Sequence, residues 1–224
     1  MKINIAIDGV AASGKTTVAR MVAARLGLVY LETGAMYRAV TWEALQRSLD
    51  LHDEGAVARL SQQLSMRLTP DPSAPVGYRL FLQGRDVSHQ LHTPEVSRSV
   101  SLVARIPAVR REMVRLQKEM AREGGVVMAG RDIGTVVLPD APLKIYLTAS
   151  LDERARRRWA ELAQNGTTTD LAALRQDLEE RDRMDSSRAD SPLEQAPDAE
   201  AIDSTDLTPD QVAGRIVELA LARA

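Results

Sequence analysis

The chain has 224 residues, 44% hydrophobic and 27% charged, with 29 basic and 31 acidic side chains for a net charge of −2. That length suits one α/β domain with insertions, or two small domains, and is ample for a sizeable core. The absence of cysteine excludes disulfides, thiolate zinc sites, thiol nucleophiles and Cys-ligated iron–sulfur clusters, and the near-neutral balance argues against a broadly basic nucleic-acid surface.

Ile3, Ile5 and Ile7 mark a first strand; this N-terminus is too short and too soon interrupted to be a signal peptide, and no apolar run approaches the ~18 residues of a membrane helix. The expectation is a cytoplasmic protein without membrane contact. The stretch 18–26 reads as a helix ended by Gly27, and 28–31 as a second strand. From 66 to 87 the text changes to antiparallel hairpins, with Met66, Leu68, Tyr78, Leu80 and Leu82 as strand residues and Pro70, Pro72, Pro75 and Gly84 as turns. Thr93-Pro94-Glu95 restarts helix, and another runs from 107 to 122 before Gly124-Gly125. Further strands are expected at 126–129, 143–147 and 201–202, and residues 184–200, rich in Ser, Asp, Ala and Pro, as an exposed or mobile loop. Thr208-Pro209-Asp210-Gln211 announces the last helix with a capping box. Strands alternating with helices predict a doubly wound, mostly parallel α/β sheet.

Gly9-Val10-Ala11-Ala12-Ser13-Gly14-Lys15-Thr16 satisfies the P-loop pattern between the first strand and the first helix. Its glycines allow backbone N–H groups to turn around an anion, with the helix dipole behind them. Lys15 is expected on the β- and γ-phosphates of ATP and the Thr16 hydroxyl on Mg²⁺, with Thr17 completing the nucleotide site. No guanine-reading [NT]-K-x-D or switch-type D-x-x-G motif occurs, and the length leaves little room for motor domains, so a phosphotransferase leads.

Four further clusters of arginine and carboxylate are expected in loops: Glu32 to Arg38, Gly130 to Thr135, the group Arg181, Asp182, Asp185 and Arg188, and a segment opening with Ser150 and Glu153. In the last, Arg154, Arg157 and Arg158 share a helix face, Arg156 points elsewhere, and three guanidiniums together suit a shared anion. Of the basic residues 25 are arginine and four lysine. Phosphate recognition accounts for such a bias, and so does background composition or heat adaptation. Arg131-Asp132 also reads as an internal ion pair, and Ser101 and Arg110 as ordinary solvated helix positions. Trp42, Trp159 and the methionines read as packing rather than a stacking platform, and His52, His89 and His92 carry no role.

IDGVAASGKTT, ETGAMYR, GRDIGTVVLPDAP at 130–142, ERARRR and ERDRMDSSR at 180–188 together resemble the bacterial cytidylate kinases, nucleoside monophosphate kinases that use ATP and CMP or dCMP. The likeness spans almost the whole chain. It implies a P-loop kinase fold, with a core at 1–36, 111–150 and 176–224. An inserted acceptor region at 37–110 would carry the β segment, and a helical lid would lie at 151–175. It implies that Thr33, Tyr37 and Arg38 line the acceptor pocket, with Arg38 on the monophosphate. Ser101, Arg110 and Asp132 would read the cytosine edge, and an aspartate suits its N4 amine. Arg131 and Arg188 would hold the acceptor phosphate, Arg181 and Asp185 the sugar hydroxyls, and Arg154, Arg157 and Arg158 the transferring charge. A monomer without nucleic-acid partner is expected. Ala129 stands where relatives commonly place a carboxylate near Mg²⁺, and Thr33 where serine is frequent. Other readings are a kinase for a different small acceptor and an arginine-rich, nucleic-acid-binding ATPase.

Overall fold

The computed structural model describes all residues except Met1, Pro72, Pro75, Asn165, Thr167 and Ala224. Two of the expected turn prolines, Pro72 and Pro75, therefore lie outside the described residues.

Five short strands form the central sheet: β1 (Ile5–Gly9), β2 (Val29–Glu32), β6 (Val126–Ala129), β7 (Leu143–Thr148) and β8 (Glu200–Asp203). Their order is β2-β6-β1-β7-β8 and every pairing is parallel. All residues of β1 and β6 are buried, which is why both read as continuous apolar runs rather than alternating ones. Successive strands leave β1 first on one side and later on the other, so the crevice beyond its carboxyl end is the place where such a sheet binds ligands. The loop between β1 and α1 (Lys15–Leu26) occupies that place.

The antiparallel segment forms a second sheet in the order β3-β4-β5, with β3 (Met66–Pro70), β4 (Tyr78–Leu82) and β5 (Arg85–Asp86). Alternation is clear in β4: Tyr78, Leu80 and Leu82 face inward and are buried while Arg79 is exposed. These three belong to the same apolar cluster as Ile5, Ile7, Val18, Leu143 and Ile216, so both sheets share one core.

Two helices were not announced by the sequence, α2 (Thr33–Gln46) and α3 (Glu54–Gln63). Nine of the fourteen α2 residues are buried, which leaves no polar face and hence no amphipathic stripe to recognise. They are followed by α4 (Pro94–Ala104), α5 (Pro107–Met120), α6 (Leu151–Gln164), α7 (Leu171–Ser186) and α8 (Pro209–Leu221). Both halves of the predicted capping box close at α8. At α6 only half does: Ser150 accepts from Glu153 N, while the Glu153 carboxylate turns to Arg156 and Arg157 instead.

Of the four clusters, the one at 150–158 is helical as its spacing implied, and the other three lie partly on helical backbone as well. Residues 33–38 are the first turns of α2, residues 181–186 the last turns of α7, and Ile133–Val137 a π-helical turn. The expected exposed loop at 184–200 is also corrected. It begins inside α7, Leu193 and Ala196 are buried, and Asp198 holds the buried Lys144 at 2.8 Å. Trp42 is buried as expected, whereas Trp159 is 46% exposed.

Candidate active site

The cradle starts with a glycine that nothing else can replace. At Gly9, φ is 144°, and a Cβ there would lie 1.9 Å from the Leu147 carbonyl oxygen. The backbone can therefore leave β1 flush against β7 and turn over the sheet edge. Lys15 Nζ folds back onto the Val10 carbonyl and lies 3.4 Å from Ser13 Oγ. Burial pulls its pKa well below the usual lysine range, and the nearby Arg131 and Arg181 guanidiniums pull the same way. An arriving polyphosphate would reverse that pull. Thr16 lies within hydrogen-bonding reach of the Tyr30 hydroxyl, itself 3.4 Å from Glu32 Oε2, and Thr17 is exposed.

The α6 arginines do not wait together on one open face. Arg154 is buried. It donates to the Ala11 carbonyl at 3.1 Å, to Ala149 O at 3.0 Å and to Asp182 Oδ2 at 2.6 Å. Asp182 Oδ1 in turn accepts from Ala11 N at 3.3 Å, so α6 and α7 grip the loop from both sides. Arg157 donates to Ser204 Oγ at 3.0 Å and Ser204 O at 2.6 Å, and the Ser204 hydroxyl sits 3.1 Å from Ser13 O. Arg158 pairs with Glu161 on its own helix. Repulsion among the three is relieved by separate partners, without a shared anion.

A second clasp joins the loop strand to the segment after β6. Both oxygens of Asp8 accept backbone N–H groups, from Ile133 at 2.8 Å and Gly134 at 2.7 Å. Burial pushes this carboxyl up to about 6 against the lowering effect of those two bonds. Gly130 allows the close approach, since a Cβ there would meet Ile133 Cδ1 at 2.6 Å and Thr33 Oγ1 at 2.7 Å. Thr33 Oγ1 donates to Ala129 O at 2.9 Å.

Across the crevice, Tyr37 and Arg38 project from α2, Ser101 is half-buried on α4, and Arg110 is on α5. Arg38 reaches Ser97 Oγ at 3.0 Å and Leu91 O at 3.3 Å. Arg110 is not a solvated position: it is 2% exposed, donates to Ala104 O at 3.1 Å and forms a buried ion pair with Asp132. Its guanidinium carbon lies 5.4 Å from the centre of the Tyr37 ring. Arg131 does not pair with Asp132. It donates to Asp185 Oδ2 at 2.8 Å, and Arg188 lies 3.7 Å from the other oxygen. Burial raises the Asp185 carboxyl, but Arg131, Arg181 and Arg188 outweigh it and hold the group below the usual range. Arg181 is pushed down to about 10, chiefly by burial and then by Arg131. Several buried atoms of this wall make no hydrogen bond: Tyr37 Oη, Arg110 Nε, Arg181 Nε and one terminal nitrogen of Arg188.

Thus the structure gathers the loop residues with Arg154, Arg157, Arg131, Arg181 and Asp185 around one crevice edge, and seats Tyr37, Arg110 and Asp132 against each other. Sequence reasoning missed Asp8 and Ser204, and gave Asp182 no role. A carboxylate inside the buried strand Ile5–Gly9 was the one available signal for Asp8; Ser204, 191 residues from its partner, offered none. Among the described residues no group of three or more His, Asp or Glu side chains is arranged to hold a metal ion.

The family model described as cytidylate kinase matches residues 5–222. The chain is 51% identical to the cytidylate kinase of Pelotomaculum thermopropionicum over 214 residues, covering 96% of this chain and 94% of that one. It is 50% identical to that of Geobacillus thermodenitrificans over 218 residues, covering 97% and 96%. Among solved structures it is similar in fold to an uncharacterized protein from Eubacterium ventriosum, with TM-score 0.57, 12% identity, and coverage of 99% of this chain and 100% of that one. A gluconokinase from Sinorhizobium meliloti gives TM-score 0.51 at 14% identity, covering 99% and 94%. With a P-loop at the switch point of a five-stranded parallel sheet and a family match over nearly its full length, the chain belongs to the cytidylate kinase family.

Proposed function

We propose that this enzyme transfers the γ-phosphoryl group of ATP to CMP or dCMP, giving ADP and CDP or dCDP. The observation that carries the reading is the buried Arg110–Asp132 pair, set against Tyr37 and joined through Gly130 and Asp8 to the phosphate loop. An aspartate oxygen accepts from the N4 amine that distinguishes cytosine from uracil.

Phosphoryl transfer requires little covalent work from the protein, so position and charge supply the rate. Lys15 leaves the Val10 carbonyl for the β- and γ-phosphates. Arg131 and Arg188 hold the acceptor phosphate, Arg38 neutralises it from the α2 side, and Arg181 and Asp185 take the sugar hydroxyls. To meet the transferring charge, Arg154, Arg157 and Arg158 would exchange their present partners Asp182, Ser204 and Glu161 for phosphate oxygens, with residues 151–175 acting as a lid and 37–110 as the acceptor region. Closure excludes water, which would otherwise consume ATP.

The Thr16 hydroxyl, together with the nucleotide phosphates, would hold Mg²⁺, which would supply charge neutralisation during transfer. Ala129 offers no carboxylate, so Thr16 is the side chain we assign to it. Both half-sites lie within one chain, and we place the enzyme in the cytoplasm as a monomer. Among the described residues, no helix is long and apolar enough to cross a membrane.

The test is ADP release against a panel of AMP, CMP, dCMP, GMP, UMP and small alcohols. Selective turnover of CMP and dCMP is expected. Equal turnover of UMP overturns the base assignment, and RNA-stimulated hydrolysis without acceptor phosphorylation returns the chain to the nucleic-acid ATPases.

A further inference from the structure

The helix that carries Arg110 also buries a glutamine. Gln117 is on the buried face of α5 that also carries Arg110 and Met113, at the i, i+3 and i+7 spacing that aligns side chains along a helix. It is 1% exposed, and neither its amide nitrogen nor its amide oxygen makes a hydrogen bond. Glutamine is among the residues least often buried without a partner, and an apolar side chain of the same length would fill the space without desolvating an amide. The amide lies close enough to the Tyr37 hydroxyl to oppose burial's upward push on that phenol, yet the two do not meet in hydrogen-bonding geometry.

The unpaired groups are not scattered. Tyr37 Oη on α2, Arg110 Nε and Gln117 on α5, and Thr135 Oγ1 on the π-helical turn all lack partners, and α5 packs against both of the other elements. Three of them form a chain of contacts that ends on Asp132. Gln117 adjoins the Tyr37 hydroxyl, the Tyr37 ring lies under the Arg110 guanidinium, and Arg110 holds Asp132.

We propose that Gln117 is a positioning residue for base selection. Its amide engages the Tyr37 hydroxyl when the acceptor enters, fixes the ring beneath Arg110 and so aims Asp132 at the base. The unpaired state is the resting one, and acceptor binding completes the bonds. This rests on the reading of Arg110 and Asp132 as the base-contacting pair.

The experiment measures kcat and KM with CMP and UMP, together with ligand-free thermal unfolding, for wild type, Gln117→Leu, Tyr37→Phe and the double variant; Gln117→Met serves if Gln117→Leu folds poorly. For Gln117→Leu the expected result has three parts. The ligand-free unfolding temperature is equal or higher, KM for CMP rises about tenfold, and the CMP-to-UMP ratio of kcat/KM falls severalfold, one hydrogen bond's worth of discrimination. The double variant is no worse than either single one, because both substitutions remove the same link. A lower unfolding temperature with an unchanged ratio makes Gln117 a structural amide and overturns the proposal. Additive losses overturn the path through Tyr37. A wild type without preference for CMP overturns the base-reading assignment itself, whereas a selective wild type with an equally selective Gln117→Leu overturns only the role of Gln117.

Discussion

The two walls of the crevice, proposed above as donor and acceptor sides, differ in how completely their polar groups are satisfied. On the donor side charged groups are paired before any nucleotide arrives: Lys15 on Val10 O, Arg154 on Asp182 and Ala11, Arg157 on Ser204 and Glu153. On the acceptor side ion pairs also form, Arg110 with Asp132 and Arg131 with Asp185, but single guanidinium and phenol atoms of Tyr37, Arg110, Arg181 and Arg188 stay buried without partners. A cradle made of backbone and braced from two helices exists independently of its ligand. A wall with unsatisfied donors carries a standing cost that a ligand relieves, so binding and ordering coincide there.

The largest expected effect attacks the paired side. Lys15→Ala should lower kcat by about three orders of magnitude with every acceptor, because a preorganised charge on the transferring group is lost; ADP release across the monophosphate panel measures it. A loss confined to CMP would break the contrast. Next, Asp132→Ala leaves Arg110 buried and unpaired, and should cost about 3–5 kcal/mol of stability in denaturant unfolding. It should also collapse the CMP-to-UMP ratio while the KM for ATP stays within about twofold. An unchanged ratio would remove base reading from the acceptor side. Asp182→Asn is milder: Arg154 and Ala11 N lose a charged acceptor, worth about 1–3 kcal/mol, and the KM for ATP should rise while that for CMP does not.

Asp8 links the two sides and supplies a pH signature. Its folded-state carboxyl titrates at about 6 rather than at the ordinary 3.8, so the folded protein holds this proton more tightly than the unfolded chain. The group's contribution therefore destabilises the fold as pH rises from about 4 to about 6, and is constant outside that window. Thermal midpoints of wild type and Asp8→Asn across pH 4–7 should differ by an amount that shifts in favour of the variant over that window. A pH-independent gap would show that the carboxyl is ionised throughout. The smallest effect is a control on a helix that supplies no site residue: Thr208→Ala removes the capping box of α8. It should cost about 1 kcal/mol with no change in any kinetic constant.

The same contrast explains what could be read from the sequence. The phosphate loop is contiguous, so eight residues announce it, and the strands at 126–129 and 143–147 are short apolar runs whose burial follows from composition. The acceptor wall is assembled from α2, α4, α5, the π-helical turn and α7, and its pairings join residues 22 and 54 positions apart. No periodicity encodes that Arg131 chooses Asp185 while Asp132 takes Arg110. Only the family likeness drew attention to Ser101 and Arg110, and it did not indicate that Arg110 is buried. The α6 arginines show the limit of helical spacing: it placed three charges on one side of a cylinder, but did not indicate that Arg154, Arg157 and Arg158 take the separate partners Asp182, Ser204 and Glu161.

One feature of the core bears on how this enzyme unfolds and moves. Tyr78, Leu80 and Leu82 of the small sheet share an uninterrupted apolar interior with Ile5, Ile7 and Leu143 of the large one. Heat or denaturant should therefore melt the two sheets in a single cooperative step, and the antiparallel segment is not a module that could be excised or transplanted intact. Swinging the small sheet away from the large one would open that interior to water, so the shared core opposes such a motion.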